Sequence, residues 1–243
     1  MSEIIVAKDI PELNRLAAEK FVSIAADAVD RNDRVTVALS GGSTPKSLFL
    51  LLASEPFRSE IDWENILFFF GDERNVALDS DESNFRMANE NLFLPLNIRS
   101  ENVFRWKTEL NDPAATAKDY ETAIRAAFPG KFPTFDIVFL GMGADGHTAS
   151  LFPGSSGLDE RDKIAIANPV PKLDTTRLTL TFPVFNAAAN VIFLVAGADK
   201  ASVLARVLEG DGDYHELPSR GIQPISERLY WYVDAVAAQY LPR

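Results

Sequence analysis

The chain has 243 residues, of which 47% are hydrophobic, and no linker or composition shift divides it, which suits a single domain over residues 1–243. Its net charge of −11 and its scattered basic residues argue against a nucleic acid or an acidic membrane as partner, and the absence of cysteine excludes thiol nucleophiles, cysteine-ligated zinc and disulfides. The first residues have no basic start or long apolar core, and no other apolar stretch is long enough to span a membrane, so we expect a cytoplasmic protein without a signal peptide.

Short apolar runs alternate with longer amphipathic segments, which predicts an α/β protein with a largely parallel sheet covered by helices on both faces. The predicted strands are Ile4 to Ala7, Arg34 to Leu39, Ile66 to Phe70, Phe135 to Leu140, Ile164 to Ala167, Arg177 to Thr181, Val191 to Ala196 and Leu229 to Val233. The predicted helices are one opened by Asp9 between the first two strands, Lys46 to Ala53, Asn84 to Phe93, Ala114 to Ala127 and Lys200 to Leu208. The proline-rich stretch from Asn168 to Pro171 is predicted to be a surface connection.

The second predicted strand is followed by Ser40-Gly41-Gly42-Ser43-Thr44-Pro45 and then by a helix. Hydroxyl groups and unpaired backbone N–H groups meet a helix start there, and this geometry holds a phosphate. The segment matches neither the Walker A pattern nor the dinucleotide fingerprint, so nucleotide binding is not indicated. A strand-to-helix turn with an N-cap explains the same residues without a ligand, and both interpretations stay open at this point.

Three charged residues, Asp72, Glu73 and Arg74, come directly after Gly71 at the end of the third predicted strand. Charges at the end of a buried strand must reach solvent, each other or a ligand. Arg74 suits a phosphate because its guanidinium makes bidentate hydrogen bonds, and Asp72 suits the orientation of a histidine or a sugar hydroxyl. The alternative is a surface ion pair between Glu73 and Arg74.

Residues 141–147 read Gly-Met-Gly-Ala-Asp-Gly-His and follow the apolar run from Phe135 to Leu140. Open α/β sheets bind ligands at the carboxyl ends of parallel strands, where a glycine-rich loop can turn its N–H groups toward an anion. His147 is therefore our leading candidate for the catalytic base. The alternative is a tight glycine turn that the histidine merely caps.

A further strand end carries Gly197-Ala198-Asp199-Lys200 at a helix start. A lysine in the first turn opposes the helix dipole, so an anionic partner would explain Lys200, whereas a solvated side chain is the alternative. In a doubly wound fold, these glycine-containing turns would all face one edge of the sheet. Together they supply a histidine, carboxylates, hydroxyls and cations, which predicts a site for a phosphorylated polar metabolite.

Several segments resemble the 6-phosphogluconolactonase family and occur in the order of that family. They are Leu39 to Pro45, Gly71 to Arg74, Gly141 to Pro153, Arg177 to Thr181 and Gly197 to Lys200, and the resemblance covers the chain from about residue 35 to residue 233. It implies a Rossmann-like sheet shared with the glucosamine-6-phosphate deaminases. It also implies hydrolysis of 6-phosphoglucono-1,5-lactone to 6-phosphogluconate, the second step of the oxidative pentose phosphate pathway, without a metal or an organic cofactor.

The deaminases are the closest alternative, because they share this type of serine- and glycine-rich loop and the Asp-Gly-His turn. Their second motif resembles Met-Asp-Glu-Tyr, whereas Arg74 stands in the tyrosine position of this chain. They also carry an acidic residue shortly after Asp-Gly-His, whereas residues 148–152 contain none. Isomerising deamination is therefore disfavoured, and a sensor that binds a sugar phosphate without turnover is a third hypothesis.

Two other chemistries are disfavoured by the residues present. The sequence has no Gly-x-Ser-x-Gly elbow, which argues against a serine esterase of the α/β-hydrolase kind. It has two histidines, His147 and His215, and no cysteine, so we predict no metal site.

In the mechanism that we predict, neutral His147 removes a proton from a water molecule that attacks the lactone carbonyl. The imidazolium then returns that proton to the departing ring oxygen, so that one residue serves as base and acid. Asp145 and Asp72 complete the predicted catalytic set, because they would orient His147 or the sugar hydroxyls.

Attack on the lactone makes an oxyanion that the N–H groups of Gly41, Gly42 or Gly143 would stabilise. The predicted residues for substrate and phosphate binding are Ser40, Gly41, Gly42, Ser43, Thr44, Arg74, Gly143, Arg177 and Lys200. We expect a monomer or a weak homo-oligomer whose partner is the phosphorylated sugar lactone.

Overall fold

The computed structural model describes residues 2–210 and 212–242, and this part of the chain forms a sheet of six strands and a sheet of three. The strands are β1 (Glu3–Ala7), β2 (Val35–Leu39), β3 (Ile66–Phe70), β4 (Asp72–Arg74), β5 (Ile137–Leu140), β6 (Ala165–Val170), β7 (Thr175–Leu180), β8 (Val191–Val195) and β9 (Leu229–Asp234). The larger sheet has the order β1-β9-β8-β5-β2-β3, and all of its neighbouring strands are parallel. The predicted α/β fold with a largely parallel sheet is confirmed.

The helices are α1 (Ile10–Asn32), α2 (Ser43–Leu52), α3 (Phe57–Glu60), α4 (Asn84–Ala88), α5 (Leu94–Leu96), α6 (Pro113–Ala127), α7 (Phe182–Ala187) and α8 (Ala198–Glu209), and a π-helical turn over Asn89–Phe93 joins α4 to α5. The side chains of Asp9, Ser83 and Asp112 cap the first turns of α1, α4 and α6. Helices α2 and α8 begin earlier than predicted, because Gly42 and Gly197 serve as their N-caps without a side-chain hydrogen bond. Among the described residues, no helix is both long and apolar enough to cross a membrane.

The smaller sheet is antiparallel and has the order β4-β7-β6. It contains two strands that the sequence predicts, β6 and β7. Its third strand, β4, is not predicted from the sequence. The predicted surface connection from Asn168 to Pro171 is wrong, because β6 continues through Val170 and the side chain of Asn168 is fully buried. Pro169 is tolerated because β6 lies at the edge of this sheet, where a missing N–H need not break a hydrogen-bonded ladder.

The strand order determines where a cleft can form in the parallel sheet. Strand β3 lies on one side of β2 and forms one edge of the sheet. Strands β5, β8 and β9 follow one another on the other side of β2. The direction therefore reverses between β2 and β5, and ligands of open α/β sheets bind beyond the carboxyl ends of the strands at such a point. The loops after β2 and β5 are thus placed side by side.

The centre of this sheet is buried on both faces, which makes it a rigid support for those loops. Every residue of the central strand β5 is fully buried, and Phe139 of β5 stacks on Phe21 of α1 with ring centroids 5.9 Å apart. Burying a phenylalanine side chain contributes about 1.5–3 kcal/mol to the hydrophobic free energy of folding. The continuous apolar runs in the sequence correspond to these buried strands.

Candidate active site

A cleft of about 270 Å³ opens beyond the carboxyl ends of β2, β5 and β8. Its volume suits a small metabolite. The predicted site residues that line it are Ser40, Gly41, Gly42, Ser43, Thr44, Asp72, Arg74, Gly143, His147 and Lys200. The glycine-containing turns that are distant in sequence thus meet at one edge of the sheet.

The loop after β2 presents unpaired backbone donors to this cleft. In the part of the chain that the structure describes, the N–H groups of Gly41, Gly42, Ser43 and Thr44 donate to no carbonyl or side chain. Gly42 has a φ of +109°, which a residue with a side chain rarely adopts, and this conformation leads directly into α2. Free N–H groups at a helix N-terminus attract an anion, since the helix dipole is positive there.

His147 is held by the aspartate two residues before it. The Nδ1 of His147 lies 2.6 Å from Oδ1 of Asp145, and the same oxygen accepts the backbone N–H of His147 at 3.2 Å. The hydrogen bond with His147 lowers the pKa of Asp145 to about 2, so the carboxylate is charged at neutral pH. A charged carboxylate accepts the Nδ1–H of the imidazole and leaves the lone pair of a neutral ring on Nε2.

The imidazole of His147 is also held by packing against Phe152 and Gly143. Phe152 stacks on the ring of His147 with centroids 4.2 Å apart, and a side chain at Gly143 would overlap the ring. The N–H of Gly143 donates to the carbonyl oxygen of His147 at 2.8 Å, which closes the turn. Among the described residues, Nε2 of His147 has no hydrogen-bond partner, and His147 lines the cleft.

Asp72 links β4 to the segment that follows His147. Its Oδ2 accepts a hydrogen bond from Oγ of Ser150 at 2.7 Å, and its Oδ1 accepts one from Nδ2 of Asn84 at 3.3 Å. Asn84 fits here because Gly41 has no side chain, since a Cβ on Gly41 would overlap the Asn84 amide. Asp72 therefore connects β4 to α4 and to the segment after His147, and among the described residues it forms no hydrogen bond with His147.

Glu73 is an anchor for helix α4 rather than a member of a surface ion pair with Arg74. It is 2% exposed, and its carboxylate accepts the N–H groups of Asn84 at 2.7 Å and of Phe85 at 2.8 Å. The pKa of Glu73 is raised above its ordinary value because burial outweighs the lowering by these backbone hydrogen bonds. The carboxylate thus satisfies the first turn of α4 and holds Asn84 at the cleft.

Two cations line the cleft and a third lies beside it. Arg74 donates from Nη1 to the carbonyl oxygen of Glu82 at 2.8 Å, and Nζ of Lys200 lies 2.9 Å from Oδ2 of Asp199. Arg177 on β7 stands directly opposite Arg74 in the antiparallel ladder. Burial, followed by the charge of Arg74, lowers the pKa of Arg177, and its buried Nε has no hydrogen-bond partner among the described residues. An anion near Arg74 would relieve this repulsion.

Asp145 and Arg177 are the predicted site residues that do not line the cleft. Asp145 lies behind His147 as its hydrogen-bond partner, and Arg177 lies beside Arg74. Gly143 lines the cleft, but its N–H is occupied by the carbonyl of His147. This leaves the N–H groups of the loop after β2 as the free backbone donors among those that we predicted.

Sequence reasoning missed three residues that shape the site: Asn84, Ser150 and Phe152. Ser150 and Phe152 belong to the long segment after His147 that carries the family resemblance. Their closeness to His147 in the sequence could therefore have identified them as site residues. Asn84 was visible only as the first residue of a helix. Its role depends on Gly41, which is distant in the chain, and no local pattern reports that contact.

The family model described as "Glucosamine-6-phosphate isomerases/6-phosphogluconolactonase" matches residues 8–231. The chain belongs to this family. A 6-phosphogluconolactonase of Nostoc sp. is 43% identical over 218 residues, which cover 88% of each chain. The solved structure of 6-phosphogluconolactonase from Trypanosoma cruzi is 32% identical, has a TM-score of 0.88 and covers 100% of this chain and 98% of that chain. The resemblance to the 6-phosphogluconolactonases is confirmed.

This fold is not limited to the 6-phosphogluconolactonases. The structure of a monomeric glucosamine-6-phosphate deaminase has a TM-score of 0.81 at 18% identity, and it covers 98% of this chain and 99% of that chain. At that identity the likeness concerns the fold alone. The choice between the activities therefore depends on the residues of the cleft.

Proposed function

We propose that this protein hydrolyses 6-phosphoglucono-1,5-lactone to 6-phosphogluconate in the oxidative pentose phosphate pathway. The observation that carries the proposal is the pair of Asp145 and His147, whose Nδ1 to Oδ1 distance is 2.6 Å, while Nε2 of this cleft-lining histidine has no hydrogen-bond partner in the described part of the chain. The same cleft is lined by two cations and by backbone N–H groups that have no partner among the described residues. His147 can thus serve as a base that deprotonates water, and the cations and N–H groups can bind a phosphorylated ester.

His147 acts as the general base and then as the general acid. Its neutral Nε2 takes a proton from water, and the hydroxide oxygen forms a bond to the lactone carbonyl carbon. The tetrahedral intermediate then breaks the bond between that carbon and the ring oxygen, which receives the proton from the imidazolium. Asp145 stabilises the imidazolium because its carboxylate is already charged and hydrogen-bonded to Nδ1.

The negative charge that develops on the carbonyl oxygen requires donors that are free before the reaction. The N–H of Gly143 is used inside its own turn, so the N–H groups of Gly41 and Gly42 are the better oxyanion donors. Donors fixed in a loop need no reorganisation during the reaction, which is why they favour the transition state over the substrate. Gly41 and Gly42 are placed by β2 and α2, which pack in the core.

The phosphate group needs cations and backbone donors. Arg74, Lys200 and the N–H groups of Ser43 and Thr44 are its proposed ligands, because these residues line the cleft, as does Ser40. Charge-assisted hydrogen bonds from arginine and lysine suit a phosphate dianion. Asp72, which is buried but lines the cleft, is placed to accept a hydrogen bond from a sugar hydroxyl.

The residues argue for the lactonase activity over the deaminase activity. Residues 148–152 contain no carboxylate, and Arg74 stands where the deaminase motif has tyrosine. All residues of the proposed site belong to one chain, so a monomer suffices. We place the reaction in the cytoplasm, which the absence of cysteine permits.

The test is an assay in which the purified protein is mixed with freshly made 6-phosphoglucono-1,5-lactone and the release of acid is followed. Spontaneous lactone opening, measured without protein, is subtracted. Acceleration that saturates with substrate supports the proposal. Binding of the lactone without acceleration would indicate a sensor, and release of ammonia from glucosamine 6-phosphate would indicate a deaminase.

A further inference from the structure

The turn that carries His147 is held by a segment far along the chain. Ser219 lies in the short 3-10 helix over Pro218–Gly221 and is 1% exposed. Its N–H and its Oγ–H both donate to the carbonyl oxygen of Gly146, each at 2.9 Å. The Oγ also lies 3.4 Å from the carbonyl oxygen of His147. The proposed reaction does not use this serine.

These hydrogen bonds hold one end of a peptide unit whose other end is also held. The carbonyl of Gly146 belongs to the peptide bond that leads into His147. The N–H of that same peptide donates to Oδ1 of Asp145 at 3.2 Å. Since a peptide unit is planar, restraints on its carbonyl and its N–H set the orientation of the whole plane. That plane directs the Cα–Cβ bond of His147.

Packing reinforces the hydrogen bonds of Ser219. Gly146 has a φ of +81°, and a Cβ at this position would approach Cδ2 of Leu217 to 2.8 Å. Leu217 is 2% exposed. The segment of Leu217 to Ser219 therefore lies directly against the α-carbon of Gly146, and the turn cannot shift in this direction without displacing a buried leucine.

The 3-10 helix is itself tied to α8. Arg220 donates from Nη1 to the carbonyl oxygens of Arg206 and Val207, each at 3.0 Å. Both carbonyls belong to the last turn of α8, whose first turn carries Lys200. A cation at these carbonyls is favourable because the C-terminal end of a helix is negative. The support behind His147 is thus anchored to a regular element of the fold.

We propose that Ser219 is a positioning residue for His147. Its Oγ and N–H together hold the Gly146 carbonyl, which keeps Nε2 directed into the cleft. The inference rests on the proposed function, because its readout is lactone hydrolysis. Misplacement of a reacting group by about 1 Å can cost about a hundredfold in rate, so a buried hydroxyl that restrains the peptide before His147 has a measurable effect.

The test is Ser219→Ala, which removes the Oγ bond and keeps the backbone bond. We expect kcat to fall about tenfold, with KM changed by less than about twofold, because substrate contacts are untouched. Ser219→Thr restores the hydroxyl and is expected to recover most of kcat. If Ser219→Ala does not fold, Ser219→Cys, which keeps the side-chain volume and has a weak donor, takes its place with a loss of a few fold.

The control is Ser226→Ala, which removes a bond of similar length from Oγ to the carbonyl oxygen of Ala188 at an exposed position outside the cleft. It is expected to keep the kcat of the unchanged protein. A double-mutant cycle with His147→Ala then separates positioning from general stability. If Ser219 acts through His147, the two losses in kcat are strongly non-additive.

The outcomes are distinguishable from a failure of the proposed function. If the unchanged protein does not accelerate lactone hydrolysis, the proposed function fails. If the unchanged protein is active and Ser219→Ala keeps its full kcat, the positioning role is refuted. A loss confined to KM, or losses that add with those of His147→Ala, would also refute it.

Discussion

The two histidines of this chain have nearly the same local geometry and different surroundings. Each lies two residues after an aspartate whose Oδ1 contacts both its backbone N–H and its Nδ1. These distances are 3.2 and 2.6 Å for His147 with Asp145, and 3.1 Å for both contacts of His215 with Asp213. Each ring also stacks on an aromatic ring with centroids 4.2 Å apart.

The two histidines differ in the partner of their second ring nitrogen, Nε2. Nε2 of His215 lies 2.9 Å from Oδ1 of Asp159, so both of its nitrogens face carboxylates. The hydrogen bond with Asp159, followed by that with Asp213, raises the pKa of His215. Nε2 of His147 has no partner in the described part of the chain and borders the cleft. An aspartate two residues before a histidine therefore orients the ring, and the tertiary surroundings decide whether the ring can act as a base.

The largest expected effect comes from His147→Ala. We expect kcat to fall by about two to four orders of magnitude, the usual contribution of general acid–base catalysis, with little change in the free energy of unfolding. His215→Ala is the control and should stay within about twofold of the unchanged protein. Turnover by lactone acid release and unfolding by urea measure the two quantities. If His147→Ala and His215→Ala lost the same amount of kcat, the proposed difference between the two histidines would be wrong.

Asp145→Asn should cost about one to three orders of magnitude in kcat. An asparagine amide can offer its NH₂ to Nδ1, which moves the imidazole proton to Nε2 and removes the free lone pair. Asp213→Asn makes the same change beside His215 and should leave kcat unaffected. A pair of kcat values that do not differ between these variants would contradict the orienting role of Asp145.

The same aspartate gives a pH dependence of stability with a defined sign. The pKa of Asp145 is lowered from an ordinary 3.8 to about 2 in the folded protein, so its contribution is full above the ordinary value and is lost as the pH falls toward 2. We expect the free energy of unfolding to fall more steeply between these pH values in the unchanged protein than in Asp145→Asn. Urea unfolding at a series of acidic pH values measures this, and parallel curves would argue against it.

Substitution of the cations should act on binding rather than on chemistry. Lys200→Met and Arg74→Met should each raise KM about ten- to a hundredfold, while kcat changes less. Glucono-1,5-lactone without the phosphate provides the control, since both variants should hydrolyse it as slowly as the unchanged protein does. A loss of the same size on both substrates would mean that these residues do not bind the phosphate.

The smallest expected effect is that of His215→Gln. Because the pKa of His215 is raised in the folded protein, its charged form contributes stability at a pH below its ordinary value, and this contribution disappears as the pH rises through the raised value. The stability difference between His215→Gln and the unchanged protein should therefore be present in mildly acidic solution and absent in alkaline solution. Thermal unfolding across this range tests the sign, and a difference that grows with pH would reverse it.

Most secondary structure was predictable because its causes are local. The strand from Ile66 to Phe70 has the predicted bounds, and the cap Asp9 begins a helix where we expected it. Errors occur where the start of an element depends on backbone conformation. Gly42 and Gly197 begin α2 and α8 with φ values of +109° and +104°, and a glycine has no side chain by which a cap could be recognised.

In the smaller sheet, strand β4 and the continuation of β6 through Asn168 were not predictable by the same reasoning. Asn168 follows an apolar run and stands before a proline, so its sequence resembles a surface connection. In the fold its Nδ2 donates to the carbonyl oxygen of Ser150 and to Oγ of Ser155, and its Oδ1 accepts the N–H of Gly157. Each of these partners is supplied by a segment whose position is known only once the chain is folded.

The sequence by itself determined the order of strands and helices and the residues at the strand ends, because apolar periodicity, glycine and capping side chains act over a few neighbouring residues. Only the tertiary structure decided that Nε2 of His147 has no partner among the described residues while that of His215 contacts Asp159, and that Glu73 anchors helix α4. It also brought Ser219 to the carbonyl of Gly146 across 73 positions. The physical reason is that burial and unpaired donors depend on which distant segments pack together, and no local pattern records that packing.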